Sequence, residues 1–92
     1  MGFSYFYNEL NIDSISGMNY SDYLESNAKV MLGKPVIKGT RITVELILKM
    51  LSEGASVEDI IFAYPHLQPI HISAALAYAT DVVANETLIF AA

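Results

Sequence analysis

The residues with the widest chemical range in this 92-residue chain are two histidines, a pair of adjacent acids and a block of cations. His66 and His71 stand five apart with Pro69 between them. Two imidazoles share a helix face at a spacing of four, and no carboxylate close in sequence completes a ligand set. They read as polar residues around a helix start. Glu58 and Asp59 are neighbouring acids at another helix start, where capping and the helix dipole explain them better than acid–base chemistry does. Gly33 to Thr40 has the glycines of a phosphate-cradling loop. Such a loop needs four residues between its glycines and a lysine directly before the hydroxyl residue. Here five residues separate Gly33 from Gly39, and no lysine precedes Thr40. Cysteine is absent, which excludes disulfides, thiolate metal sites and a catalytic thiol. No nucleophile stands beside a base in a recognisable pattern. The expectation is a non-enzymatic protein with no cofactor and no metal.

What remains is charge. The net value of −5 is unevenly spread. Residues 1–28 carry four acids (Glu9, Asp13, Asp22, Glu25) and no Lys or Arg. All five bases, Lys29, Lys34, Lys38, Arg41 and Lys49, lie within residues 29–49, against the single acid Glu45. Residues 50–92 carry five acids and again no Lys or Arg. Such a block is either an anion-binding stripe or the solvated face of a hairpin and helix. Arg41 has three open readings, because its planar guanidinium suits helix C-terminal carbonyls, an acidic partner and phosphate alike. An acidic chain repels DNA at long range. Contact through Lys29, Lys34, Lys38, Arg41 and Lys49 is therefore expected to be weak and salt-dependent for the protein alone.

The elements that must position these residues can be read from pattern. Phe3 to Tyr7 is aromatic and reads as a short strand, and Tyr20 to Glu25 as a second. Gly33-Lys34-Pro35 and Gly39-Thr40 are turn signals around β-branched Val36-Ile37, so residues 23–42 read as an irregular hairpin or a pair of short strands. In that signature turn Gly39 suits positive φ, the Thr40 hydroxyl can bond the turn's backbone, and Pro35 can fix the strand start. Thr43 is a good N-cap, followed by an apolar stripe at Val44, Ile47, Leu48 and Leu51, with Glu45 and Lys49 spaced to pair. Gly54 suits the end of that helix. Ser56-x-x-Asp59 has capping-box spacing, and its helix repeats the stripe at Val57, Ile60, Ile61 and Tyr64 before Pro65 stops it. A third helix starts near Pro69 with Ile72, Ala75, Leu76 and Ala79 on one face and runs to about residue 84. Three short helices joined by tight turns match a helix-turn-helix layout. The expected class is mostly α (α+β). Its parts are an N-terminal aromatic arm (1–22), a helical domain (23–84) and an apolar tail (85–92).

Composition points to a partner. Hydrophobic residues make up 53% of the chain, and a chain of this length buries only about 60–65% of the surface it exposes when unfolded. A homodimer is expected, with Phe3, Phe6, Leu88 and Phe90 as candidate interface residues. Off its apolar stripe the third helix shows Ile70, Ser73, Ala74, Ala77, Tyr78 and Asp81, with no Lys, Arg, Asn or Gln. That face suits packing on protein rather than reading bases. Ile70, Ala74, Ala77 and Tyr78 are therefore further interface candidates. The longest apolar run, Ala74 to Ala79, is far too short to span a membrane, and no basic residue precedes the N-terminal apolar stretch as a signal peptide would need. A cytoplasmic protein without membrane contact is expected.

The run Gly33-Lys34-Pro35-Val36-Ile37-Lys38-Gly39-Thr40-Arg41-Ile42-Thr43-Val44 is highly specific. Together with Leu51 to Ile60, Tyr64-Pro65-His66-Leu67 and Ile72 to Ala79, it closely resembles the domain-of-unknown-function 433 family. The resemblance covers Tyr23 to Asp81, about two-thirds of the chain. It implies a homeodomain-like helix-turn-helix core. It also implies an antitoxin-like binding module that neutralises a PIN-type ribonuclease toxin and possibly autoregulates by binding DNA. A dimeric DNA-binding regulator without a toxin, or a structural assembly module, are the alternatives. The chain departs from the family's usual pattern at Ala28, commonly proline, and at Leu32, commonly a second glycine. Gln68 replaces the usual Thr or Ser before the third helix, and Ile70 and His71 replace an acidic pair.

Overall fold

The computed structural model describes residues 18–85. The expected strand at Phe3 to Tyr7, the interface candidates Phe3, Phe6, Leu88 and Phe90, and nearly all of the arm and tail lie outside these residues. Two short strands and three helices follow in order: β1 (Leu24–Glu25), β2 (Val36–Ile37), α1 (Val44–Ser52), α2 (Val57–Ala63) and α3 (Pro69–Ala84). The protein is mostly α, with a two-stranded antiparallel sheet. Leu24 lies opposite Ile37 and Glu25 opposite Val36.

Only the last two residues of the expected strand over Tyr20–Glu25 are extended. Tyr20–Asp22 form a 3-10 turn instead, because the Asn19 carboxamide accepts the Ser21 N–H and closes the chain locally. β2 is held from both sides. Besides β1, it bridges Thr43 through Val36, and the Ile37 N–H donates to the Ile42 carbonyl at 2.9 Å. The Pro35 carbonyl then takes the first N–H of α1, that of Val44, at 3.0 Å. A donor that the helix leaves unpaired is thus satisfied by the strand start.

The helix ends follow local chemistry. The Thr43 hydroxyl accepts the Leu46 N–H at 3.0 Å. α1 closes in a Schellman arrangement: Ala55 N–H donates to the Met50 carbonyl and Gly54 N–H to that of Leu51, with Gly54 at φ +100°. The Ser56–Asp59 capping box forms in both directions. At the start of α3, His71 Nδ1 accepts the Gln68 N–H at 2.9 Å, so the ring reaches back to the N-cap backbone as the third-position Glu or Gln of a capping box does.

The core gathers Leu24 and Ile37 from the sheet, Ile42, Val44 and Ile47 around α1, Ile60 from α2, Leu67, and Ile72, Ala74 and Ala75 from α3. Ile47 and Ile60 are fully buried, and each such side chain contributes about 1.5–3 kcal/mol by leaving water. α3 packs against α1, α2 and the Tyr20–Asp22 turn. Its small residues are therefore enclosed on several sides. This corrects the expectation for the helix's outer face: Ala74 is 0% exposed and Ala77 only 4%. Neither can contact a partner without opening the fold. Ile70 and Tyr78 are half-buried. No helix among the described residues is long and apolar enough to cross a membrane.

Candidate docking site at a left-handed turn

Between β1 and β2 the chain makes a turn with an unusual backbone. Met31, Leu32 and Gly33 have φ of 49°, 58° and 84°, three left-handed residues in succession. Glycine adopts this region freely, whereas a residue with a Cβ meets its own carbonyl there, at roughly 1–2 kcal/mol each. Local hydrogen bonds hold the turn in place. The Asn27 carboxamide accepts the Lys29 N–H at 2.8 Å, and the Asn27 carbonyl accepts the Val30 N–H at 2.8 Å. The Val30 carbonyl takes Gly33 N–H, the Met31 carbonyl takes Lys34 N–H, and the Ser26 hydroxyl donates to the Gly33 carbonyl. The strained loop is thus rigidly specified. Strain maintained in this way is a feature of binding and switching sites.

The turn presents apolar surface to water. Leu32 is 91% exposed and Met31 39%. Around them Lys29, Lys34 and Arg41 line one shallow depression of about 370 Å³, together with Ala28. Three of the five cations singled out in the sequence therefore converge. Lys38 and Lys49 are exposed but line no part of this depression. Arg41 is exposed and forms no ion pair among the described residues, so its guanidinium is available to a partner rather than pinned to a helix end.

The rest of the signature turn is scaffolding. The Ile37–Thr40 turn closes through Thr40 N–H to the Ile37 carbonyl, with Gly39 at φ +77° in the place where such a turn needs positive φ. The Thr40 hydroxyl donates to the Ile37 carbonyl at 2.8 Å and accepts the Ile42 N–H at 2.9 Å. The Gly39 N–H donates to the Glu25 carboxylate at 2.9 Å and ties this turn back to β1. Gly39, Thr40 and Pro35 thus hold the backbone that carries Arg41 and Lys34.

Lys34 is partly committed. Its Nζ lies 2.8 Å from Glu45 Oε1, so Glu45 on the first turn of α1 pairs with the residue ahead of β2 rather than with Lys49 as the helix spacing suggests. The Lys34 hydrogen bond, then its charge, hold the Glu45 carboxyl below its ordinary range, with a smaller contribution from Lys49. Both side chains are exposed, so solvent and salt screen the pair. It borders a second, more apolar groove of about 260 Å³, walled by Pro35, Val44, Leu48 and Tyr78. Tyr78 stacks edge-on against Tyr20 at 5.6 Å, and the Tyr20 hydroxyl donates to Asp81 Oδ2 at 2.8 Å.

The sequence reading missed two features. The left-handed turn was hidden because Met and Leu carry no signal for positive φ. Phe62, 89% exposed on α2, was passed over although it falls off the stripe Val57, Ile60, Ile61 and Tyr64. That mismatch was a readable sign of exposure. Among the described residues no cluster of His, Asp or Glu has the makings of a metal site.

Fold and site define a small three-helix module whose most distinctive surface is a rigid loop, apolar at its tip and cationic at its base. The chain belongs to the family described as protein of unknown function (DUF433), which matches residues 24–79 and so takes in both strands, the loop and most of the three helices. No curated protein and no solved structure gives a significant match.

Proposed function

We propose that this protein is a non-enzymatic, antitoxin-like binding module that neutralises a PIN-type ribonuclease by docking its left-handed loop on that protein. The observation that carries the reading is the tip itself: Leu32, 91% exposed, beside Lys29, Lys34 and Arg41 on a chain of net charge −5. An exposed apolar side chain beside an arginine, the residue type enriched at interface hot spots, is surface that a partner can cover. Its local positive charge selects an acidic surface and steers the encounter. DNA is the weaker partner. α3, which would read bases in a helix-turn-helix protein, has no Lys or Arg, so any operator contact falls to the five exposed cations of residues 29–49, three of them at the loop.

The test is a search of the adjoining reading frames for a PIN-type nuclease, then co-expression with it, affinity capture and a ribonuclease assay. Wild type is expected to capture and inhibit the nuclease. Leu32→Asp and Arg41→Glu are each expected to weaken capture at least about tenfold with unchanged circular dichroism, since both side chains are exposed. Failure of wild type to bind the nuclease, or binding indifferent to both substitutions, overturns the reading.

A further inference from the structure

Leu32 and Phe62 are the two large hydrophobic side chains exposed by about nine-tenths among the described residues. Those exposures leave both side chains open to a second molecule. Their electrical surroundings are opposite. Leu32 shares its depression with Lys29 and Arg41. Phe62 stands four residues after Glu58 on α2, and both are exposed. Residues four apart lie on one helix face, so Glu58 and Phe62 form a single acid-plus-aromatic patch. The two patches are complementary in both respects: one is concave and cationic, the other a projecting ring beside a carboxylate.

We infer that the occupant of this depression is a second copy of the chain. The Phe62 ring of one copy enters the depression beside Leu32 of the other, and Glu58 pairs with Arg41. A ring placed there also meets the guanidinium face-on, a contact worth more once water is excluded. Each copy carries one donor patch and one acceptor patch. A two-fold arrangement engages both patches twice and closes, whereas a one-way arrangement leaves an open patch at each end and polymerises. The dimer is the closed solution. The inference concerns this chain alone and does not depend on the nuclease reading. Because the two share Leu32 and Arg41, self-association and capture of an acidic partner exclude one another, and the dimer covers the loop until a partner displaces it.

Sedimentation of the full chain across the micromolar range tests this. Wild type is expected to dimerise, and Phe62→Ala, Arg41→Glu and Glu58→Arg are each expected to weaken the dimer at least about tenfold while leaving helix content unchanged. The charge swap Arg41→Glu with Glu58→Arg is expected to recover most of the affinity. Arg41→Glu with Glu53→Arg, which restores net charge but not the pair, is expected to recover none. A wild type that stays monomeric overturns the inference. So does a dimer indifferent to Phe62→Ala, or a charge swap no tighter than its single substitutions.

Discussion

At the scale of single residues, Leu32 is where stability and binding pull in opposite directions. Its side chain is 91% exposed and its φ is 58°, so it adds little packing and carries backbone strain. Glycine relieves roughly 1–2 kcal/mol of strain and loses about 0.5–1 kcal/mol to its greater freedom when unfolded. Leu32→Gly is therefore expected to stabilise the fold by about 0.5–1 kcal/mol in urea denaturation, while weakening whatever docks on the loop. Leucine hides the turn in the sequence, because nothing in a Met-Leu pair announces two positive φ angles. Thr40 and Gly39 were legible for the opposite reason: a glycine and a hydroxyl in a short turn have few other uses. Tyr20 supports a prediction with a sign. Its phenol donates to Asp81, and that bond, with burial and the nearby charge, raises its pKa above the ordinary 10.0. The folded state holds this proton more tightly than the unfolded one. The contribution is thus complete below pH 10 and is lost as pH climbs through the raised value. Above pH 10 the denaturation midpoint of wild type is expected to fall further than that of Tyr20→Phe, which has no proton to lose there.

At the scale of elements, caps and stripes carried most of the information. Thr43, the Ser56–Asp59 box and Pro69 mark their helix starts, because each satisfies or replaces an unpaired N–H that chemistry requires to be met. α3 is the exception. Its buried residues Ile72, Ala74, Ala75 and Ala77 point, at about 100° per residue, to more than one side of the helix. A one-face stripe could not be read from a helix enclosed by α1, α2 and the Tyr20–Asp22 turn. The alanines then looked like an outer face when they are close-packing positions. Ala74→Arg is accordingly expected to cost at least about 3 kcal/mol, since it forces both volume and charge into the core. Loss of the helical circular dichroism signal at 37 °C checks this, and a folded Ala74→Arg protein would refute the packing described for α3.

At the scale of the whole molecule, the segregation of charge was evident in the sequence, but its division was not. Lys29, Lys34 and Arg41 meet because the hairpin brings residues 29, 34 and 41 to one depression, while Lys38 and Lys49 lie away from it. With three such contacts, DNA affinity is expected to fall with salt at a log–log slope of about −3, and Lys29→Ala with Lys34→Ala to reduce that slope to about −1. Fluorescence anisotropy at several salt concentrations measures both. The tie between Tyr20 and Tyr78–Asp81 has a different consequence, a mechanical one. It joins positions 61 residues apart, close to the two limits of the described structure. A pull applied at residues 18 and 85 is expected to meet this tie before β1, β2 or the three-helix core. The stacked tyrosines and the Asp81 hydrogen bond act as a clasp in parallel with the rest of the fold. Tyr20→Ala removes both the stacked ring and the hydrogen bond, so the same pull on residues 18 and 85 is expected to reach the core at lower force.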